Sequence, residues 1–117
     1  EKVFHVDGDD LRALTVNADY SKEGRINNIK RAQTIAHYLH SKGEMVVVSL
    51  VAPYRDLREE FKVQTDVQEI YVYTSEVRGR ENKHAADYEP PLTGYLDIDT
   101  TNKSVEESLV AITDALF

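Results

Sequence analysis

The sequence predicts an α/β fold built on a parallel sheet. Two observations carry this. Short β-branched and aromatic runs recur at residues 2–6, 44–51, 69–73 and 95–99, and segments with helical apolar spacing lie between them. Alternation of this kind gives parallel strands joined by right-handed crossovers. In such sheets ligands bind beyond the carboxyl ends of the strands. Asp7-Gly8-Asp9, the stretch 49–53 and the chain from Thr74 onward are therefore expected around one site.

Taken in order, Lys2-Val3-Phe4-His5-Val6 reads as a buried strand running into the turn Asp7-Gly8-Asp9-Asp10. Asp9 or Asp10 is expected to cap a short helix over residues 11–16. Ser21 is a natural N-cap for a long helix over 24–42, with Glu23 in its positive first turn. Ile26, Ile29, Ala32, Ile35, Ala36 and Leu39 form its apolar face, and Gly43 stops it. Met45-Val46-Val47-Val48 is a continuous apolar run, the pattern of a strand buried on both faces. Ala52-Pro53 turns the chain into a charged helix over 54–63, and Glu69-Ile70-Tyr71-Val72-Tyr73 is a third strand. Residues 74–92 are polar, contain Gly79 and Pro90-Pro91, and read as a lid-like loop. A fourth strand, Tyr95-Leu96-Asp97-Ile98-Asp99, precedes a helix capped by Ser104, with Leu109, Ile112, Ala115 and Leu116 expected inward.

The 117 residues fit one domain, 1–117, and the hydrophobic share of 41% and charged share of 30% are ordinary for a globular protein. Acidic residues outnumber Lys and Arg 21 to 14, a formal charge of −7, which argues against nucleic acid as a partner. With no cysteine there are no disulfides, thiolate metal sites or cysteine nucleophiles, in keeping with the cytoplasm. No apolar run has the length of a membrane span.

Asp7 and Asp9, at i and i+2 of an extended segment, would share a face and converge on one ion or hydroxyl. Two hard oxygen ligands suit Mg²⁺, and either carboxylate can take a proton from an attacking hydroxyl. On its own, the same cluster reads more readily as a capped turn. Arg12 lies one helical turn beyond Asp9. Arg25 and Asn28 share a face at the start of the long helix, where an arginine fork and backbone donors suit a sulfate or phosphate. Singly, each reads more readily as a solvated helix residue. Tyr20 either stacks on a purine or serves as a hydrophobic staple.

Their order narrows the choice. Asp7-Gly8-Asp9-Asp10-Leu11-Arg12, Asn17-Ala18-Asp19-Tyr20-Ser21, Arg25-Ile26-Asn27-Asn28-Ile29-Lys30-Arg31 and Ser49-Leu50-Val51-Ala52-Pro53-Tyr54-Arg55 follow one another. They resemble the adenylylsulfate kinase family, which reads D-G-D-x-x-R, N-x-D-aromatic-S, R-x-x-N-I-x-R and S-x-I-[SA]-P-Y-R. Tyr88-Glu89-Pro90-Pro91 and the 96–99 strand agree with its C-terminal part. The resemblance implies a three-layer, P-loop-kinase-like parallel sheet and transfer of the ATP γ-phosphate to the 3′-hydroxyl of adenosine 5′-phosphosulfate, a step of sulfate assimilation. It implies Mg²⁺ with ATP as co-substrate, and a homodimer. Asp7 and Asp9 match the acidic pair near Mg²⁺ and the hydroxyl, with Asp9 the activating residue. Arg12, Arg25 and Asn28 match substrate-binding positions, Tyr20 the aromatic on the adenine, and Val51 the aliphatic beside it. Arg80 matches a lid arginine near the ATP phosphates. The 74–91 region is shorter than the family's lid, and Gly24 stands where the family usually has an acidic residue.

The family also needs a G-x-x-x-x-G-K-[ST] loop to cradle phosphates. None of the five glycines, Gly8, Gly24, Gly43, Gly79 and Gly94, begins one. In the family, that loop follows the central strand of a sheet ordered two-three-one-four-five. The expectation is thus an N-terminally truncated domain, inactive alone, whose strands at 45–51 and 69–73 lack a shared neighbour. Alternatives are four strands closing into one sheet, a non-catalytic nucleotide-binding remnant, or another small-molecule kinase. A receiver domain ranks low, because Ser49 to Pro53 offers no acceptor aspartate.

Overall fold

The computed structural model describes residues 2–15, 19–75 and 88–117. Eight elements follow in the order β1(Val3–Asp7), α1(Gly8–Leu14), α2(Lys22–Ser41), β2(Met45–Ser49), α3(Arg55–Gln64), β3(Glu69–Tyr73), β4(Tyr95–Asp99) and α4(Val105–Leu116). All strand pairing among the described residues is parallel. β1 pairs with β2 so that Val3 faces Met45 and Asp7 faces Ser49. β3 pairs with β4 so that Glu69 faces Tyr95 and Tyr73 faces Asp99. The four strands do not close into one sheet; they form two separate pairs. The break lies between β2 and β3, where a cavity of about 160 Å³ is lined by Val48, Ile70, Tyr71 and the 50–52 segment.

α2 forms because Ser21 caps it, its Oγ accepting from Gly24 N at 3.2 Å. Gly43 ends it at φ +84°, a conformation open to glycine without strain. Ile29, Ala32 and Ala36 are buried on the expected face. Of these, Ala32 clusters with Val6 and Leu11, and Ile35, Val46, Val48 and Leu50 pack against that cluster. Ser104 and Glu107 form a reciprocal capping box on α4.

Five expectations need correction. β1 is not a buried strand throughout: Val3 is 48% exposed and His5 is exposed, and only Val6 is buried. α1 begins at Gly8, and its cap is Asp7, not Asp9 or Asp10, because Asp7 Oδ1 accepts Asp9 N–H at 2.9 Å. β2 is not buried on both faces: Met45 and Val47 are 42% and 50% exposed, since α2 covers the Val46 and Val48 side and no described element covers the other. On α4, Leu109 and Ala115 are exposed, while Ser108, Ala111, Ile112 and Leu116 are half-buried, because only one narrow side of the helix meets β4. Asp7 and Asp9 do not lie along one extended segment; one ends a strand and the other opens a helix.

Candidate functional site

The site is assembled where β1 and β2 end. Gly8 sits at the β1–α1 junction, and a Cβ there would lie 2.9 Å from Leu50 Cβ, so glycine lets the junction press against the chain leaving β2. Asn28, buried on α2, ties that helix to the same junction by donating from Nδ2 to Gly8 O at 3.4 Å. Its Oδ1 is buried and finds no hydrogen-bond partner among the described residues. A buried amide oxygen left in that state costs free energy until a ligand or water donates to it.

Above this floor lies a cavity of about 330 Å³, lined by Asp7, Asp9, Arg12, Tyr20, Arg25, Asn28 and the 49–53 segment, which includes Val51. Its volume lies within the range of small-molecule sites. Seven of the eight residues singled out in the sequence therefore meet on one cavity, and Arg80 lies outside the described residues. The rim is held by the short segment before α2. Arg12 Nη1 donates to Asp19 O at 2.9 Å, and its guanidinium lies 4.2 Å from the centre of the Tyr20 ring. Arg25 Nε donates to Tyr20 O at 2.9 Å. The Ser21 side chain and backbone N–H both stabilise the Asp19 carboxylate, and with Arg12 nearby they hold its pKa below the ordinary 3.8. Both arginines and the tyrosine thus converge through two carbonyls. Asp7 and Asp9 both line the cavity and could offer carboxylate oxygens to a hard cation, while no group of three His, Cys, Asp or Glu able to hold one occurs among the described residues. A two-carboxylate set fits an ion that also keeps waters and phosphate oxygens.

Several contributors escaped the sequence reading. Gly24 has no room for a side chain, as a Cβ would lie 2.2 Å from Asp19 O. Ser49 closes the end of β2 with a 2.6 Å hydrogen bond between its Oγ and His5 Nε2. Ala52 adopts φ +42°, which the proline after it gives no reason to expect. Among the described residues no helix is long and apolar enough to cross a membrane.

Likeness to solved structures gives this parallel α/β domain the P-loop kinase fold. It superposes on the Mycobacterium tuberculosis APS kinase in complex with AMPPNP and APS with a TM-score of 0.78 at 21% identity, covering 98% of this chain and 80% of that one. The Cys556Ala mutant of that kinase gives 0.73, covering 76% of its chain. In sequence, the chain is 32% identical to the adenylyl-sulfate kinase of Rippkaea orientalis, across 92% of this chain and 70% of the relative. It is 31% identical to that of Oceanobacillus iheyensis, across 93% and 66%. A profile described as adenylylsulphate kinase matches residues 1–96. The chain belongs to the adenylylsulphate kinase family, and spans about two thirds of the length of these two relatives.

Proposed function

We propose that this chain supplies the adenosine 5′-phosphosulfate side of an adenylylsulfate kinase site. The observation that carries the reading is the single cavity that gathers Asp9, Arg12, Arg25, Asn28, Tyr20 and Val51 around an unpartnered amide oxygen. Tyr20 and Val51 bracket the adenine, Arg12 and Arg25 grip the phosphosulfate end with forked donors, and Asn28 discriminates between nucleotides by hydrogen bonding. Asp9 takes the proton of the ribose 3′-hydroxyl as that oxygen attacks the γ-phosphorus of ATP, with ADP leaving. Asp7 and Asp9 would hold Mg²⁺ together with phosphate oxygens, and the bound ion would neutralise charge on the transferring group.

The 117 residues contain no G-x-x-x-x-G-K-[ST], so the proposal assigns the ATP phosphate cradle to a segment beyond them. It assigns Arg80 to the ATP phosphates. The same reading includes a homodimer, which the exposed Met45 and Val47 face favours, and a cytoplasmic role in sulfate assimilation, which rests on the family. The missing motif favours a second reading, nucleotide binding without catalysis.

Calorimetric titration of the chain with adenosine 5′-phosphosulfate, against AMP as the sulfate-free comparison, tests the binding side. Arg25→Ala should weaken capture of the phosphosulfate by about 2–4 kcal/mol, the scale for removing a charged partner from a desolvated pair. Equal affinity for AMP, or no effect of Arg25→Ala in a folded protein, rejects the assignment. Formation of 3′-phosphorylated product by a form carrying an ATP loop separates kinase from binding remnant.

A further inference from the structure

Arg58 is only 11% exposed at its side chain, yet it lies on α3, outside the cavity that holds the nucleotide-site residues. Its guanidinium reaches three other parts of the chain. Nη1 donates to Ala52 O at 2.7 Å, Nε pairs with Glu69 Oε2 on β3 at 3.0 Å, and Nη2 donates to Glu89 O. Its plane also lies 5.3 Å from the centre of the Tyr88 ring, which stacks in turn on Tyr71. Glu69 is itself fixed, since its other oxygen accepts from Lys62 at 2.8 Å.

The carbonyl that Arg58 grips belongs to a strained residue. Ala52 has φ +42°, a left-handed conformation that costs an alanine free energy and persists only where surroundings enforce it. Ala52 sits between Val51 and Pro53, and all three line the nucleotide cavity. The other side of the turn is tied to the segment after residue 87: Glu89 N donates to Pro53 O at 2.8 Å, and Glu89 Oε1 accepts Arg55 N–H at 2.8 Å. Tyr54, at the N-cap of α3, makes no side-chain capping bond, so Glu89 performs that task from across the fold.

We propose that Arg58 is a positioning residue for the nucleotide cavity. It holds Ala52 in the left-handed turn that sets Val51 on the cavity wall, and it locks that turn to Tyr88 and Glu89. The wall beside the base and the chain that follows residue 87 are thereby one mechanical unit. A lysine in its place keeps the charge but has no fork to reach Ala52, Glu69 and Glu89 together. The ligand named in the test rests on the function proposed above, while the backbone readout does not.

The test uses the full chain and two readouts. In ligand-free protein, NMR couplings and Cβ shifts should report a left-handed residue at 52, and cross-relaxation should connect Tyr71 and Tyr88. Arg58→Lys should abolish both and weaken adenosine 5′-phosphosulfate binding at least 10-fold. Ala52→Gly, which relieves the strain, should shrink the effect of Arg58→Lys to about 3-fold or less in the double variant. A structural role alone predicts the same loss in both backgrounds. If Arg58→Lys does not fold, Glu69→Gln, which removes the charge that aims Arg58, should give the same changes in milder form. A left-handed residue 52 and an intact Tyr71–Tyr88 contact in either folded variant overturn the proposal. Failure of the unmodified chain to bind the phosphosulfate removes the proposed substrate, and the NMR result still decides the role of Arg58.

Discussion

Gly24→Ala separates the cost of a misplaced site from the cost of a damaged fold. The added Cβ would lie 2.2 Å from Asp19 O and 2.5 Å from Asp19 Cγ, so Asp19 must retreat by more than an ångström to reach ordinary contact. Overpacking of this kind costs about 1–3 kcal/mol. Alanine returns about 1 kcal/mol through its higher helix propensity. Because Asp19 lies in an exposed connection and not in the core, stability should fall by only about 0–2 kcal/mol. Binding should suffer more. The Asp19 and Tyr20 carbonyls that move are those accepting from Arg12 and Arg25. Hydrogen bonds of charged donors contribute about 1.5–3 kcal/mol each, and losing one such contact lowers affinity roughly 10- to 100-fold. Urea unfolding read beside calorimetry with adenosine 5′-phosphosulfate measures the two effects separately. Affinity that stays at the wild-type value, or that falls only in step with the unfolded fraction, refutes the reasoning.

Element existence was legible because local signals agreed with one another. Ser21, the 3.6-residue spacing from Ile26 to Leu39 and Gly43 all mark the same helix, and the structure places it within two residues of the expected bounds. What the sequence did not disclose was coverage. Met45-Val46-Val47-Val48 carries the composition of a doubly covered strand, but composition records what a strand can tolerate and not whether a second layer is present. The exposed Val47 and the open edges of β2 and β3 are one fact seen twice: each expects a neighbour that the described residues do not provide. The α1 boundary failed for a different reason. Three aspartates within four residues are all competent caps, and only the strand geometry of Asp7 decides among them.

The site was legible to the extent that it depends on side chains with recognisable chemistry. Arg12, Arg25, Asn28 and the two aspartates announce themselves; the parts that aim them do not. Asp19 acts through its carbonyl, Gly24 through the atom it lacks, and Ala52 through a backbone angle that its side chain does not favour. Arg58 reads as one more charge on a helix that also carries Arg55, Asp56, Glu59, Glu60 and Lys62, and only its partners at positions 52, 69 and 89 distinguish it from a solvated one. A single sequence shows which groups can do chemistry. It is nearly silent about which backbone atoms hold them.

Two further predictions concern charge. Asp9→Asn keeps the size and shape of the cavity wall, so phosphosulfate affinity should stay within about threefold, while turnover in a form carrying an ATP loop should fall about 100-fold or more, the scale of general-base loss. Parallel losses in binding and turnover would remove Asp9 from proton transfer. The last prediction is acid sensitivity of the rim. Asp19 has its pKa held below 3.8 by the side chain of Ser21, then by its backbone N–H, with a smaller contribution from Arg12. A carboxyl lowered on folding contributes stability that is fully present above its unfolded value, and the contribution is lost as pH falls through the lower folded value. The Asp19–Ser21 turn, and the carbonyls of Asp19 and Tyr20 with it, should therefore stay intact at pH 5 and loosen only below 3.8. Asp99 and Glu107 are lowered in the same way by Thr101 and Ser104, so global unfolding in acid sums at least these three carboxylates among the described residues and cannot single out the rim. The Ser21 amide can, because it donates directly to Asp19 Oδ1 at 2.9 Å. Its NMR shift, followed from pH 6 to pH 2, should show an inflection below 3.8 that Asp19→Asn removes. An inflection at 3.8 or above, or one that survives Asp19→Asn, means that the carboxylate does not anchor the segment on which Arg12, Tyr20 and Arg25 converge.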